Sequence, residues 1–283
     1  MNTSSFLFGL RQWRIALIVY FIQLCLALTL GMQAHSVLES SIGNSLEINK
    51  LLAQYDHTVL TDFLKVHGAS ITPLIGQLRW LLLVWLIFSV FINAGLLYST
   101  NSEKYTGRAG VAAFWQGAVE YFFPFLKISL IFLGIALLWT MLTLAPIAMF
   151  FQPALRYFIT EQYAVWAVMF LIVIYLAGLV ILMVWSLISR VLFVNNLSMI
   201  SSSLKNGWRT FHKNGRAFLR LMMAFLGVQV LLLAIYWVLE AFIGMTTPVG
   251  ILLLFLIQQA FVFLRIQVRQ MLFAGVGKLT NNF

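Results

Sequence analysis

Residues 201–242 read SSSLKNGWRTFHKNGRAFLRLMMAFLGVQVLLLAIYWVLEAF. The first half has two faces. Lys205, Arg209, Lys213, Arg216 and Arg220 recur at steps of three or four, the spacing that puts side chains on one side of an α-helix. Leu204, Trp208, Phe211, Gly215 and Phe218 form a second, apolar stripe beside them. From Leu221 to Phe242 charge then disappears except for Glu240. At 1.5 Å of rise per residue, about 22 apolar residues cross the roughly 30 Å hydrocarbon layer of a bilayer. The stretch therefore reads as an amphipathic helix lying in the membrane interface and leading straight into a transmembrane helix. Gly207 and Gly215 weaken the first helix by about 1 kcal/mol each relative to alanine. A break is expected near Asn214-Gly215, and Ser201–Ser203 are expected to cap the start.

The whole chain supports a membrane setting. Of its 283 residues, 62% are hydrophobic and 9% charged, with 25 Phe and 9 Trp. A soluble domain is nearer a quarter charged. The formal net charge of +10 would point to nucleic acid in a soluble protein. Here the distribution of the charge gives a different answer, and no nucleic-acid partner is expected.

Six apolar runs are long enough to span: Ile15–Gln33, Leu78–Tyr98, Phe125–Ile147, Tyr163–Ser189, Leu221–Phe242 and Val249–Leu272. Arg11 and Arg14 ahead of the first run resemble a secretory signal, but the run is longer than a usual signal core, so it reads as a signal-anchor and first span. The N-terminus, the connections 99–124 and 190–220, the C-terminus and the adjoining span ends carry 14 of the 18 Lys and Arg. The other side carries Lys50, Lys65, Arg79 and Arg156, and six of the eight acids. Cytoplasmic loops are the Lys/Arg-rich ones. Both termini are therefore expected in the cytoplasm, with anionic lipid headgroups at that face as partners.

The third and fifth spans share a pattern. Phe125-Leu126-Lys127 continues to Phe132-Leu133-Gly134, and Phe218-Leu219-Arg220 continues to Phe225-Leu226-Gly227, an offset of 93 residues. Phe114, Trp115, Ala118 and Phe122 precede the first copy as Leu204, Trp208 and Phe211 precede the second. The predicted fold is all-α: one six-span domain of three consecutive hairpins, with interfacial helices on the basic face. The repeats run in the same direction. On the basic-aromatic stretches 111–127 and 203–220, each entering a Phe-Leu-Lys/Arg span start, the chain resembles the membrane domain found beside bacterial glycerophosphodiester phosphodiesterases and related six-span bacterial proteins. The likeness covers roughly residues 105–275. It implies architecture and a connection to lipid; the phosphodiesterase chemistry belongs to a soluble domain that is not in this sequence.

Residues for chemistry are few. No acid lies near the middle of a span, which argues against a carboxylate relay for protons or sodium. His35, His57, His67 and His212 have no metal-ligand spacing, Cys25 is the lone cysteine, and no nucleophile or phosphate-loop motif occurs. No enzyme activity, cofactor or metal is expected. Two sets of site residues remain. Lys205, Trp208, Arg209, Lys213, Arg216 and Arg220 are candidates for an anionic lipid or an interface. Asn93, Gln258 and Gln259 are candidates for lining a cavity, since polar side chains in spans otherwise bond between helices. Arg265 and Arg269, late in the sixth span, read as snorkelling side chains. The outer loop 34–77 carries Leu46, Leu51, Leu52, Tyr55, Val59, Leu60, Phe63 and Leu64 at near-helical spacing. It reads as two short helices, the second capped by Asp56, and as a surface for a protein partner. The function expected is an accessory or scaffold subunit associated with lipid or a membrane complex. A transporter or channel for a lipid or small amphiphile is the alternative.

Overall fold

The computed structural model describes residues 11–42, 57–101, 107–157, 161–196, 199–243 and 247–281. Every element in it is α-helical: α1 (Trp13–Ile42), α2 (His57–Asn101), α3 (Gly107–Glu120), α4 (Phe122–Tyr157), α5 (Glu161–Asn196), α6 (Ile200–Ile243) and α7 (Pro248–Asn281). Six of them are long and apolar enough to cross a membrane, all but α3. The chain is an all-α, multi-pass membrane protein.

The chain divides into two compact units, Leu17–Ser89 and the remainder, Met1–Ala16 with Val90–Phe283. In the first unit, α1 carries its apolar window over Trp13–Gln33 and continues as helix to Ile42. In α2 the apolar window is Gly76–Thr100, but the helix starts at His57, and its 45 residues span about 67 Å. Of the two short helices expected in 34–77, the first, at Leu46 to Tyr55, lies outside the described residues, and the second is corrected. It runs unbroken through Pro73 into the span, and residues 34–42 prolong α1. Residues 43–56, including Asp56, lie outside the described residues.

In the larger unit the buried residues gather at the basic ends of the helices. Ile15 and Ala16 of α1, Ala94, Leu96 and Leu97 of α2, Phe114 of α3, Phe125 and Ile128 of α4, Ile188 and Val191 of α5, and Phe218 of α6 are 0–2% exposed. The last turns of α7, Ile266 to Val276, are buried almost throughout. Gln12, 2% exposed, ties the start of the chain in by donating Nε2–H to the Ser99 carbonyl at 3.0 Å. Asn195 donates to Asn281 at 2.7 Å and joins the ends of α5 and α7. Away from this end, long apolar side chains face outward, among them Leu142, Leu231 and Phe242. That is the distribution for a protein surrounded by acyl chains, where a second polar-excluding core adds no hydrophobic driving force.

The element starts and stops follow local chemistry. Thr247 Oγ1 accepts the Gly250 amide at 3.1 Å, and Pro248 occupies the first helical position, where no amide hydrogen is needed. Pro146 and Pro153 do not end α4, which carries helical backbone through both to Tyr157. Each proline removes one hydrogen bond, and the flanking residues keep the rest. The serines at the start of α6 do not cap it. Ser202 and Ser203 bond back to the Met199 carbonyl at 2.6 and 3.3 Å, so their hydroxyls add to the first turn from inside. Mid-span, Trp139 of α4 donates Nε1–H to the Tyr175 carbonyl of α5 at 3.2 Å.

Candidate functional site

The repeat predicted from the sequence has a counterpart in backbone and burial. A turn at Tyr121 separates α3 from α4, and the only non-helical backbone inside α6 is Asn214, at φ −127° and ψ 20°. These positions are 93 residues apart, the same offset as the sequence match. So are Phe125 and Phe218, both buried, Phe132 and Phe225, 7% and 8% exposed, and Trp115 and Trp208, 44% and 46% exposed. In both copies an amphipathic helix bends into a transmembrane one. The expected elbow at Asn214-Gly215 is present.

Both amphipathic segments press closely on the preceding span at glycines, Gly117 of α3 against Tyr98 of α2 as Gly207 of α6 against Ser189 of α5. In the first copy Gly95 of α2 lets Phe114 approach; a Cβ on Gly95 would lie 2.6 Å from the Phe114 carbonyl oxygen. In the second copy Ser189 of α5 meets Gly207 of α6, where a Cβ would collide with Ser189 Oγ. Phe114 and Gly207 are again 93 residues apart. The face of α6 turned to the bundle is therefore Ser203 and Gly207, both buried, one residue aside from the aromatic stripe. Trp208 is half-exposed and packs edge-on against Trp185 at 5.1 Å. Trp185 in turn donates Nε1–H to the Leu204 carbonyl at 3.1 Å. These contacts fix α6 against α5.

With that face fixed, the five cations turn outward. Lys205, Arg209, Lys213, Arg216 and Arg220 are all exposed, and none meets a carboxylate among the described residues. The ladder is a row of unneutralised charge on an anchored helix.

The candidate cavity residues do not share one place. Asn93 of α2 accepts a hydrogen bond from Arg269 of α7. Gln258 bonds the Tyr236 hydroxyl at 2.7 Å, joining α7 to α6. Eleven residues, about 16 Å of helix, separate Arg269 from Gln258 on α7. Gln259 is half-buried on the same helix as Gln258. A groove of about 250 Å³ lies between α6 and α7, lined by Leu226, Gln229, Val230, Leu232, Leu233, Phe261 and Arg265.

Arg190, counted only with the basic connections, and Arg269, read as a snorkelling side chain, are both turned toward neighbouring helices instead. Arg190, near the end of α5, is half-buried and donates to Ser129 Oγ of α4 at 3.0 Å, with its guanidinium 5.9 Å from the Phe125 ring centre. Arg269, also half-buried, lies 5.7 Å from the Phe273 ring centre. Each guanidinium is turned inward to a neutral partner, unlike the ladder. Spacing along the chain gave no sign of this, because the partners lie 61 and 176 residues away. The available hint was that neither arginine has an acid at helical spacing.

Among the described residues no three His, Cys, Asp or Glu side chains come together as a metal site would require. His35 and Glu39, a helical turn apart on α1, form an exposed pair at 3.7 Å. No known protein family matches the chain, and neither a curated protein nor a solved structure does.

Proposed function

We propose that the protein is a non-enzymatic accessory or scaffold subunit of a bacterial cytoplasmic membrane, with both termini and the basic face in the cytoplasm. The observation that carries the reading is the α6 ladder, five exposed cations on a helix clamped to α5 by the Ser189–Gly207 and Trp185–Leu204 contacts. Each basic side chain beside an anionic leaflet contributes about 1 kcal/mol, so the ladder contributes about 5 before screening. That is sufficient to hold the amphipathic segment to the membrane surface and to present a flat basic platform. The repeated bend at Tyr121 and Asn214 sets α3 in the same relation to its own span, but α3 carries only Arg108 and Glu120 and no row of cations, so the basic surface is that of α6 alone. The weak likeness to lipid-associated six-span domains agrees with this role.

A carrier for a lipid or small amphiphile is the second reading, and the α6–α7 groove favours it. Native mass spectrometry separates the two. The protein is gently extracted with its neighbours, beside a variant with Lys205, Arg209, Lys213, Arg216 and Arg220 changed to Gln. The expected result is a protein partner that accompanies both forms, with fewer bound anionic lipids on the variant. No protein partner on either form would refute the accessory role and favour the carrier.

A further inference from the structure

Arginines near the end of a span ordinarily extend their side chains to the water layer. Arg265 is poorly placed to do so. It lines the α6–α7 groove with Gln229, which lies nine residues, about 13 Å of helix, beyond Arg220, the last cation of the ladder. In a helix the Cα–Cβ bond leans toward the N-terminus. α7 runs toward the basic end of the bundle and α6 away from it. Arg265 therefore leaves its backbone pointing away from the water at that end. Neither Arg265 nor Gln229 has a hydrogen-bond partner or a carboxylate among the described residues. An unpaired guanidinium in the apolar layer is costly, and an anion that joins it there relieves the cost.

The repeat shows why a groove opens at this place. Gln229 and Leu232 stand 93 residues after Ala136 and Trp139 of α4, the offset of the two copies. In the first copy the Trp139 indole fills the seam between α4 and α5. It presses on Gly178, where a Cβ would collide with the ring, and donates to the Tyr175 carbonyl at 3.2 Å. The second copy has a leucine in place of the indole and an amide in place of the alanine methyl, and about 250 Å³ stands open between α6 and α7. One turn further in, the helices meet again. Tyr236 packs on Phe261 at 5.5 Å and accepts the Gln258 amide at 2.7 Å. The space thus has a polar end, at Arg265 and Gln229, and a closed apolar end.

We propose that the α6–α7 groove holds one long-chain fatty acid, with its carboxylate on Arg265 and its alkyl chain along Val230, Leu233 and Phe261. A carboxylate matches the guanidinium fork in paired N–H bonds and supplies the missing negative charge. Gln229 offers a further amide donor beside it. A single chain is indicated by size. The volume lies under the range of about 300–1,000 Å³ usual for small-molecule sites, and the seven residues from Leu226 to Leu233 give it about 10 Å of length. Depth argues against a two-chain phospholipid, whose phosphate belongs at the level of the ladder rather than at Gln229. The site is separate from the ladder that carries the accessory role, and it stands whether or not a protein partner is found.

The experiment uses the full-length protein in nanodiscs of dioleoyl phosphatidylcholine. Palmitic acid carrying a diazirine at mid-chain is photolysed with it, and the labelled peptides are mapped by mass spectrometry. Labelling is expected to saturate, to fall within 226–233 and 261–265, and to be displaced by palmitate but not by hexadecanol or dioleoyl phosphatidylglycerol. Arg265→Gln is expected to weaken the saturable labelling at least tenfold. Leu232→Trp puts the indole of the first copy into the groove with every charge kept, and is expected to weaken it as much. The variant with Lys205, Arg209, Lys213, Arg216 and Arg220 changed to Gln is expected to label as the wild type does. Unchanged labelling of folded Arg265→Gln, or of folded Leu232→Trp, would overturn the proposal. Equal displacement by hexadecanol in the wild type would overturn it too, whether or not the variants fold. Displacement by phosphatidylglycerol and not by palmitate would replace the fatty acid with a phospholipid. Loss of labelling in the ladder variant would move the site to the ladder.

Discussion

Replacing Gly207 by Ala tests whether close approach of α6 to α5 holds the basic platform in place. A Cβ at 207 meets Ser189 Oγ inside contact distance and lies 3.2 and 3.3 Å from Ser189 Cα and Cβ. The backbone atom cannot rotate away. The hydroxyl can, but Ser189 Oγ donates to the Trp185 carbonyl at 2.8 Å, and that bond contributes about 1 kcal/mol. Overpacking of this kind costs about 1–3 kcal/mol. Alanine recovers about 1 kcal/mol of helix propensity. With the Ser189 bond lost as well, the expected net loss is about 1–3 kcal/mol. The assay is reversible unfolding in mixed micelles followed by tryptophan emission, because Trp185 and Trp208 meet edge-on across this contact. Ser189→Gly removes the opposing atoms and reproduces the first copy, where the glycine sits on the span. S189G/G207A is expected to show a favourable coupling of at least about 1 kcal/mol in the double-mutant cycle. A Gly207→Ala protein stabilised by the full propensity gain, with unchanged emission, would refute the reasoning.

Two further outcomes follow from burial. Phe125→Ala and Phe218→Ala, at equivalent places in the two copies and 0% and 1% exposed, are each expected to cost about 3–5 kcal/mol in the same unfolding assay, whereas Phe242→Ala, 85% exposed, stays within about 0.5 kcal/mol. Cys25 is exposed in the apolar window of α1; it is expected to resist a water-soluble maleimide in intact membranes, where no water supports the thiolate, and to react once detergent is added.

Much of this fold was legible because lipid imposes simple rules. Runs of about 20 apolar residues must be helices there, since every backbone group has to be satisfied within the segment. That made the six spans readable to within a few residues at most ends. The bend at Asn214 was readable because Asn214-Gly215 interrupts an otherwise continuous helical rhythm. The length of α2 was not, because residues 57–75 carry no apolar window, and Gly68 and Pro73 suggest breaks that the helix does not make. The serines opening α6 were misread because hydroxyls serve equally as caps and as back-bonding donors. Arg190 and Arg269 were counted as cytoplasmic charge. A count places a residue on a side of the membrane, not toward or away from a bundle axis, and only packing brought Ser129 and Asn93 to them.

The confinement of the packed core to one end has a mechanical consequence. Beyond the level of Phe132 and Phe225, the helices of the larger unit meet few large buried side chains; Leu142 is 69% exposed and Trp237 75%. A membrane thinner or thicker than the apolar stretches imposes only fractions of a kilocalorie per ångström of mismatch, and helices answer it by tilting. Here the loosely packed ends tilt while the buried phenylalanines hold the other ends still. The bends at Tyr121 and Asn214 take up the change in angle. On this reasoning the α6 ladder is expected to stay level in bilayers of different hydrophobic thickness, which the tilt of α4 and α6 measured in thin and thick bilayers checks.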